Sequence, residues 1–380
     1  MQFALTETQQ MIKRTAHEIA QREFAPRAAE IDATGEFPWN HVRVLRDSGF
    51  MGMAFPKEYG GGGADHVSHI LVKEEISRAC LSTCTIMAAH YLGSLPLMLA
   101  GTEEQKEKYL PRLASGEMLA AFGLTEPEAG SDAGAIKTTA RRDGEGYVLN
   151  GNKAFITNGG VADFYTIFAK TDPEAGTRGI SAFIVEKGTP GFSFGKKENK
   201  MGIRASATRE LILQDCRVPR ENLLGQEGEG FKIALRTLDH TRPGAGAEAV
   251  GVAQAALDAS LQYARERVVF GKPLVEHQAI SFMLADMATE IEAARLLVYR
   301  SAAMIDAGVS RFTMESSMAK LFASEVAHRV VNQAVQIHGG YGYMKEYPVE
   351  RYYRDQRILE IYEGTSQIQR LVIASNLLRQ

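Results

Sequence analysis

Apolar side chains recur at steps of three and four near the end of the chain: Ile280, Met283, Leu284, Met287, Ile291, Ala294 and Val298, then Phe322, Val326 and Val330. Each set forms one stripe of an α-helix, and successive stripes predict helices packed in a bundle. The second run stops at His338-Gly339-Gly340, where glycine can supply the left-handed backbone that ends a helix. A helical pattern also fills the chain from Thr6 to about Gly116. Thr6-Glu7-Thr8 opens a helix carrying Met11, Ile12, Ala16, Ile19 and Ala20, and Phe37-Pro38-Trp39-Asn40 introduces another through Val42, Leu45 and Phe50. Ser68 to Ala100 keeps apolar helical spacing, and Glu103, Glu104, Lys106, Glu107 and Lys108 form a solvated helix face.

Near Ala120 the period changes. Tyr147-Val148-Leu149 and Ala154-Phe155-Ile156 predict strands flanking Asn150-Gly151, a tight-hairpin signal because both residues accept positive φ. Further strands are expected at Tyr165 to Lys170, Ile180 to Glu186 and Glu210 to Leu213. After Gly225-Gln226-Glu227-Gly228-Glu229-Gly230 the helical period returns. The fold class expected is therefore mainly α with a middle β domain. Residues 1–120 make an N-terminal helical domain, 121–225 a small β-barrel-like domain, and 226–380 a C-terminal four-helix bundle. No internal repeat is visible.

Composition narrows the function classes. The 380 residues are 45% hydrophobic and 23% charged with a formal net charge of -3, which favours neither disorder nor a polyanion-binding surface. Nucleic acid is not an expected partner. Apolar runs such as Tyr91 to Gly101 contain Pro96 and read as shorter than a membrane span, and the start, Met-Gln-Phe-Ala-Leu-Thr-Glu, lacks a basic-then-apolar signal. A soluble protein of the bacterial cytoplasm is expected, with a processed protein of the mitochondrial matrix as the alternative. Cys80, Cys84 and Cys216 suit a reducing compartment, and no second ligand pair of zinc spacing accompanies Cys80 and Cys84, so they read as core residues and no metal is expected. The glycines at 60 to 63 read as a turn and not a phosphate cradle, since no Gly-Lys-Ser or Gly-Lys-Thr follows.

Candidate chemistry gathers on Arg357-Ile358-Leu359-Glu360-Ile361-Tyr362-Glu363-Gly364-Thr365-Ser366-Gln367-Ile368-Gln369-Arg370. Glu363 stands at a break between an apolar run and a closing helix, where a carboxylate can be held over a pocket. Gly364 permits close backbone approach, and Thr365 and Gln367 offer polar groups to a cofactor. The same residues also read as a helix-start acid with Thr365 or Ser366 as cap. Residues alone leave both readings open. Thr125, Ser131, Phe155, Thr157, Arg242, Arg267, Gln278 and Gln336 could each bind a ligand, yet each taken singly reads more readily as a turn cap, a packing residue or a surface ion pair.

Taken together, these segments resemble the acyl-CoA dehydrogenase family of flavoproteins over essentially the whole chain. The likeness is carried by Leu124-Thr125-Glu126-Pro127-Glu128-Ala129-Gly130-Ser131-Asp132, Ile156-Thr157-Asn158-Gly159-Gly160, Arg267-Val268-Val269-Phe270-Gly271-Lys272, Gln336-Ile337-His338-Gly339-Gly340-Tyr341-Gly342, and Tyr362 to Arg370. It implies the three-part subunit above, FAD as cofactor and a homotetramer. By likeness, Phe122, Leu124, Thr125, Ser131, Phe155 and Thr157 contact the flavin, with Thr125 near the pyrimidine edge and Thr157 beside N5. Thr365 and Gln367 join them. Arg267, Phe270, Gln278, Gln336, Gly339 and Gly340 look like the part that reaches the FAD of a neighbouring subunit. The family more often has tryptophan where Phe155 stands, and some relatives carry a hydroxyl residue where Val269 stands.

The activity implied is α,β-dehydrogenation of a short- to medium-chain, branched or alicyclic acyl-CoA to the 2-enoyl-CoA, with Glu363 removing the α-proton and flavin N5 taking the β-hydride. In the resembling family the thioester oxygen is held by the glutamate's backbone amide and an FAD ribityl hydroxyl. Asp239, Thr241 and Arg242 resemble the segment lining the pantetheine entrance, and Ser131, Tyr362 and Gly364 fall among the substrate contacts. Electrons are expected to pass to electron-transferring flavoprotein. The competing readings are an acyl-CoA oxidase, whose relatives are generally longer, and a non-catalytic flavin-binding scaffold. Met87-Ala88-Ala89-His90-Tyr91-Leu92-Gly93 resembles short-chain members, whereas Asp239-His240-Thr241-Arg242-Pro243 looks like medium-chain ones. With Tyr91 shortening the pocket and Ala88 and Ala89 widening it, a short, broad cavity for butyryl, branched or alicyclic groups is expected.

Overall fold

The computed structural model describes residues 4–378 and opens with helices α1 (Glu7–Ile19), α2 (Ala28–Thr34), α3 (Trp39–Asp47), α4 (His66–Ala79), α5 (Leu81–Ala100) and α6 (Glu103–Ala114). Capping boxes start α1 and α6: Thr6 and Gln9, then Thr102 and Gln105, satisfy each other's orphan N–H groups. The apolar run from Ser68 to Ala100 is two helices, separated where Cys80 is extended at φ -157°. Helix α5 is long and apolar enough to cross a membrane, which the sequence reading missed. However, 72% of its most apolar stretch is buried in the protein, as in a core helix. The glycine turn serves close packing, because a Cβ at Gly61 would collide with the Phe55 backbone.

The middle region is one eight-stranded sheet of β1 (Ala120–Gly123), β2 (Thr139–Asp143), β3 (Gly146–Thr157), β4 (Phe164–Lys170), β5 (Ile180–Glu186), β6 (Phe192–Lys197), β7 (Thr208–Pro219) and β8 (Leu223–Leu224). Its order is β6-β7-β3-β2-β4-β5-β8, with β1 parallel to β4. Strands β6 and β8 end the path unpaired with each other, so the sheet is open where a barrel-like closure was expected. Strands β4 and β5 read as continuous apolar runs because both their faces are covered. Tyr165, Ile167 and Phe183 pack towards the N-terminal helices, and Phe164, Phe168 and Ile184 pack against α5 and α6.

The Asn150-Gly151 hairpin does not exist. Strand β3 runs straight through it, bulged against β7 between Leu149 and Gly151, and Gly151 is required because a Cβ there would lie 2.5 Å from Thr138 Oγ1. The real β2–β3 turn is at Gly144, with φ 57°.

Then come α7 (Gly230–Glu266), a short hairpin of β9 (Val268–Val269) and β10 (Lys272–Pro273), α8 (Gln278–Asp306), α9 (Thr313–His338), α10 (Val349–Gln356) and α11 (Ser366–Leu377). Helices α7, α8 and α9 pack on one another, α11 lies on α9, and α4 runs along α7. The predicted stripe holds: Leu284, Met287, Ile291, Ala294 and Val298 are buried with Val326 and Val330, while Ile280, Met283 and Phe322 sit at its margin. Burying each large aliphatic side chain contributes about 1.5–3 kcal/mol. The seam of α7 is made of small residues that let neighbours approach closely, and a Cβ at Gly246 would lie 2.7 Å from Val298 Cγ2.

Candidate active site

Glu363 follows a tight helical turn at Arg357–Glu360 and precedes α11. Its backbone takes φ 55° and that of Gly364 takes φ 91°. Thr365 is the cap of α11, its Oγ1 accepting from the Ile368 N–H at 3.3 Å. Glu363 is thus outside the helix, and the cap reading holds for Thr365 alone. Three side chains fix this joint through its carbonyls. Lys320 Nζ donates to Gly364 O at 2.6 Å, Gln369 Nε2 donates to the Glu363 and Gly364 carbonyls at 3.0 Å each, and Arg242 Nε reaches Glu363 O at 3.5 Å. A Cβ on Gly364 would sit 2.6 Å from Gln369 Nε2.

The Glu363 carboxylate accepts from Thr241 Oγ1 at 2.8 Å through Oε2. Among the described residues, its Oε1 and its own N–H make no hydrogen bond within the chain. Burial raises its pKa above the ordinary 4.5, against the opposing pull of the Thr241 hydrogen bond and of the Lys73, Arg242 and Lys320 charges. The arrangement is a carboxylate biased towards holding a proton, with one oxygen free.

Arg242 is buried and held by Asp239 at 2.8 Å and Ser317 Oγ at 3.4 Å, and Thr313 Oγ1 donates to Asp239 at 2.6 Å. Tyr362 donates its hydroxyl to buried Glu248, whose carboxylate lies 3.8 Å from Lys73 Nζ. Beside Thr241 is a small cavity lined by His66, His69, Ile70, Lys73, Tyr91 and Gly244, among others. Tyr91 and Thr241 therefore share one cavity. The α4 wall was not anticipated, although His66, His69 and Lys73 form an i, i+3, i+7 stripe that could have shown it.

On the sheet, β3 bulges again between Lys153 and Ile156, where Phe155 takes φ 58° and its ring is 69% exposed. Thr157 ends that strand, half-buried. Phe122 on β1 is half-buried, its ring centroid 4.9 Å from that of Phe168. Leu124 is buried, Thr125 half-buried and Ser131 exposed. The Leu124 to Pro127 loop is stapled to β3 by Lys153, which donates to Glu126 at 2.6 Å and to Leu124 O at 3.3 Å. Nothing in the sequence marked that buried pair. Gln367 is exposed in the first turn of α11, where Ser366 Oγ and Gln369 Oε1 are buried without partners. An outward aromatic ring, half-buried hydroxyls and unpartnered polar atoms are a donor set that fits a flavin with its polar tail.

The remaining residues lie elsewhere. Arg267 ends α7, Gln278 starts α8, and Gln336 with Gly339 and Gly340 ends α9, so all gather at one end of the bundle. At ~1.5 Å per residue along α7, Arg267 is roughly 38 Å from Arg242. Arg267 stacks over Tyr341 at 5.7 Å, and Phe270, at φ 50°, is 97% exposed. The structure does not bring this cluster to Glu363 within one chain.

The three descriptions that match the chain are the acyl-CoA dehydrogenase N-terminal domain over residues 6–117, its middle domain over 121–216 and its C-terminal domain over 228–378. The chain is 51% identical to acryloyl-CoA reductase (NADH) of Anaerotignum propionicum, covering 100% of this chain and 97% of that protein. It is 50% identical to the short-chain-specific acyl-CoA dehydrogenase of Clostridium acetobutylicum, covering 100% of both. Butyryl-CoA dehydrogenase from Megasphaera elsdenii superposes with TM-score 0.97 at 48% identity, covering 100% of both chains. A chain from a structure titled for the electron-transferring flavoprotein of Acidaminococcus fermentans superposes with TM-score 0.98 at 51% identity, again over 100% of both. All three parts of the chain are thus accounted for, and the protein belongs to the acyl-CoA dehydrogenase family, FAD-dependent oxidoreductases acting on acyl-CoA thioesters.

Proposed function

We propose that this chain dehydrogenates a short-chain acyl-CoA between Cα and Cβ, with Glu363 as the base. The observation that carries the reading is the half-free carboxylate of Glu363, raised in pKa by burial and set beside a small cavity through Thr241. A base for a weakly acidic Cα–H works best when its own pKa is lifted towards that of the carbon acid. Glu363 takes the α-proton on its free oxygen, and its unpartnered N–H is available to a thioester carbonyl oxygen. Arg242, Lys320 and Gln369 hold the joint so that neither donor nor base has to be reoriented. Phe155, Thr157, Thr125 and the α11 start would hold FAD, which supplies the two-electron acceptor for the β-hydride.

The Arg267 and Phe270 cluster, too far along the bundle to serve its own Glu363, would complete the FAD site of another subunit in a homotetramer. Electrons would leave to an electron-transferring flavoprotein, and hydrogen peroxide formation without such an acceptor would instead favour an oxidase. A second reading is the reverse direction, favoured by the similarity to the acryloyl-CoA reductase: protonated Glu363 then returns a proton to Cα. Anaerobic mixing with butyryl-CoA tests the first reading. Glu363→Gln should keep flavin and thioester binding while losing about 100- to 10,000-fold in flavin-reduction rate. Reduction near the parent rate would refute Glu363 as base. Oxidation of the pre-reduced flavin by crotonyl-CoA measures the reverse direction.

A further inference from the structure

We infer that the acyl pocket takes a short acyl group whose far end carries an oxygen acceptor, gripped by Lys73 and His69. The inference rests on the dehydrogenation reading and names the substrate class of that same site.

A pocket for a plain alkyl chain is walled by apolar side chains, since each buried polar group without a partner costs about 1–3 kcal/mol. Here α4 presents His66, His69 and Lys73 on one stripe to a cavity whose other walls include Ile70, Pro243 and Ala302. The protein satisfies these polar groups only in part. Lys73 is 2% exposed, and its ammonium makes no hydrogen bond among the described residues; its nearest carboxylate, Glu248, is 3.8 Å away. His69 is 5% exposed, its ring makes no hydrogen bond among the described residues, and it meets the Tyr91 ring edge at 4.7 Å between centroids. His66 uses Nδ1 on Asp306 at 3.0 Å and leaves Nε2 buried without a partner. Gly244 makes the room for the ammonium, because a Cβ there would stand 2.5 Å from Lys73 Nζ. A counter-ion for Glu248 alone would need neither this stand-off nor the partnerless His66 Nε2 beside it. The cavity is about 10 Å³, room for one water-sized group, and touches Thr241, which holds Glu363; with Cα at the carboxylate, an acyl group pointing towards α4 would place only its terminal oxygen there. The tail oxygen takes no part in the chemistry: Glu363 would take the α-proton and bound FAD would supply the acceptor for the β-hydride, leaving a C=C bond.

The test compares thioesters of one chain length with three termini: pentanoyl-CoA, 5-hydroxypentanoyl-CoA and glutaryl-CoA, read as anaerobic flavin reduction by the holoenzyme. At least one of the two oxygen-ended chains should exceed pentanoyl-CoA in kcat/KM by on the order of 10-fold or more, the better one showing whether hydroxyl or carboxylate is favoured. Lys73→Met should reduce that ratio about 10-fold or more by favouring the methyl terminus. If Lys73→Met loses its flavin, His69→Phe, which keeps the packing on Tyr91, should move the ratio the same way. A parent preference for pentanoyl-CoA overturns the inference, as does a ratio unchanged in a folded variant. Silence of all three chains and of butyryl-CoA would instead sink the dehydrogenation reading itself.

Discussion

Replacing Thr241 with valine removes one hydroxyl from the site at nearly constant volume. That hydroxyl has a single proton and two acceptors in range, Glu363 Oε2 at 2.8 Å and Leu238 O at 3.4 Å, so the carboxylate receives it. A hydrogen bond to a charged group is worth about 1.5–3 kcal/mol, and one pKa unit is about 1.4 kcal/mol. The bond is made to the ionised carboxylate and holds its pKa down against burial. Its loss should lift the Glu363 pKa further, by about one to two units on those magnitudes. The base is active only when ionised, so the acid limb of the kcat/KM profile for flavin reduction should move to higher pH by that amount. Above the limb the rate should persist, because a more basic carboxylate is at least as good a proton acceptor. Stopped-flow reduction by butyryl-CoA across pH, for the parent, Thr241→Val and Thr241→Ser, measures this. A limb that stays in place or moves to lower pH in Thr241→Val would refute the reasoning, as would an equal loss at every pH.

Tyr91→Ala should enlarge the cavity that Tyr91 shares with Thr241 and shift preference towards longer acyl chains by about 1–3 kcal/mol at most per added contact, and an unchanged chain-length profile would remove Tyr91 from the pocket. Arg267→Ala should lower FAD occupancy in a way that depends on protein concentration; a dissociated monomer holding flavin as tightly as the assembly would refute the shared site. Gly364→Ala meets both a φ of 91° and the Gln369 amide, so it should lower stability by about 1–3 kcal/mol and slow flavin reduction, and an unshifted melting temperature would count against the clamp.

Much of the fold was legible because it follows from periodicity. The stripe from Leu284 to Val298 and the helix start at Thr6 are local patterns with one structural meaning. The failures came where a tertiary contact chose among local options. Asn150-Gly151 fits a hairpin equally well by sequence, and the close approach of Thr138 decided for a bulge. Strand β1 has only Ala-Ala-Phe-Gly, a weak β signal, and forms because β4 and α5 are there to pair with and cover it. The site divides likewise. Glu363 showed itself through the break around it, whereas the His66, His69 and Lys73 wall reads in sequence as a polar helix face and becomes a pocket wall only where α4 meets α7. Lys320 and Gln369 act through backbone carbonyls, which no residue pattern announces.

The backbone itself points to the same places. Six non-glycine residues among those described have positive φ: Phe155, Asn158, Ile203, Asp215, Phe270 and Glu363. For a bulky residue that conformation costs on the order of 1–2 kcal/mol, so it persists only where surrounding contacts impose it. Asp215 is explained locally, its N–H bonded to Asn150 Oδ1 at 2.8 Å beside the bulge, and Asn158 is of a type that tolerates the region. Ile203 is tied by its N–H to Asp355 at 2.6 Å. Phe155 and Phe270 gain no such bond and bury no ring; both instead hold an aromatic face outward, at the sheet and at the far end of the bundle. Glu363 is strained for a different return. Held at φ 55° by Lys320, Gln369 and Arg242, it stands outside α11, so that its N–H is withheld from the helix and one carboxylate oxygen from any internal partner. The strained φ therefore keeps Glu363 apart from the helix start, as the proposed base requires.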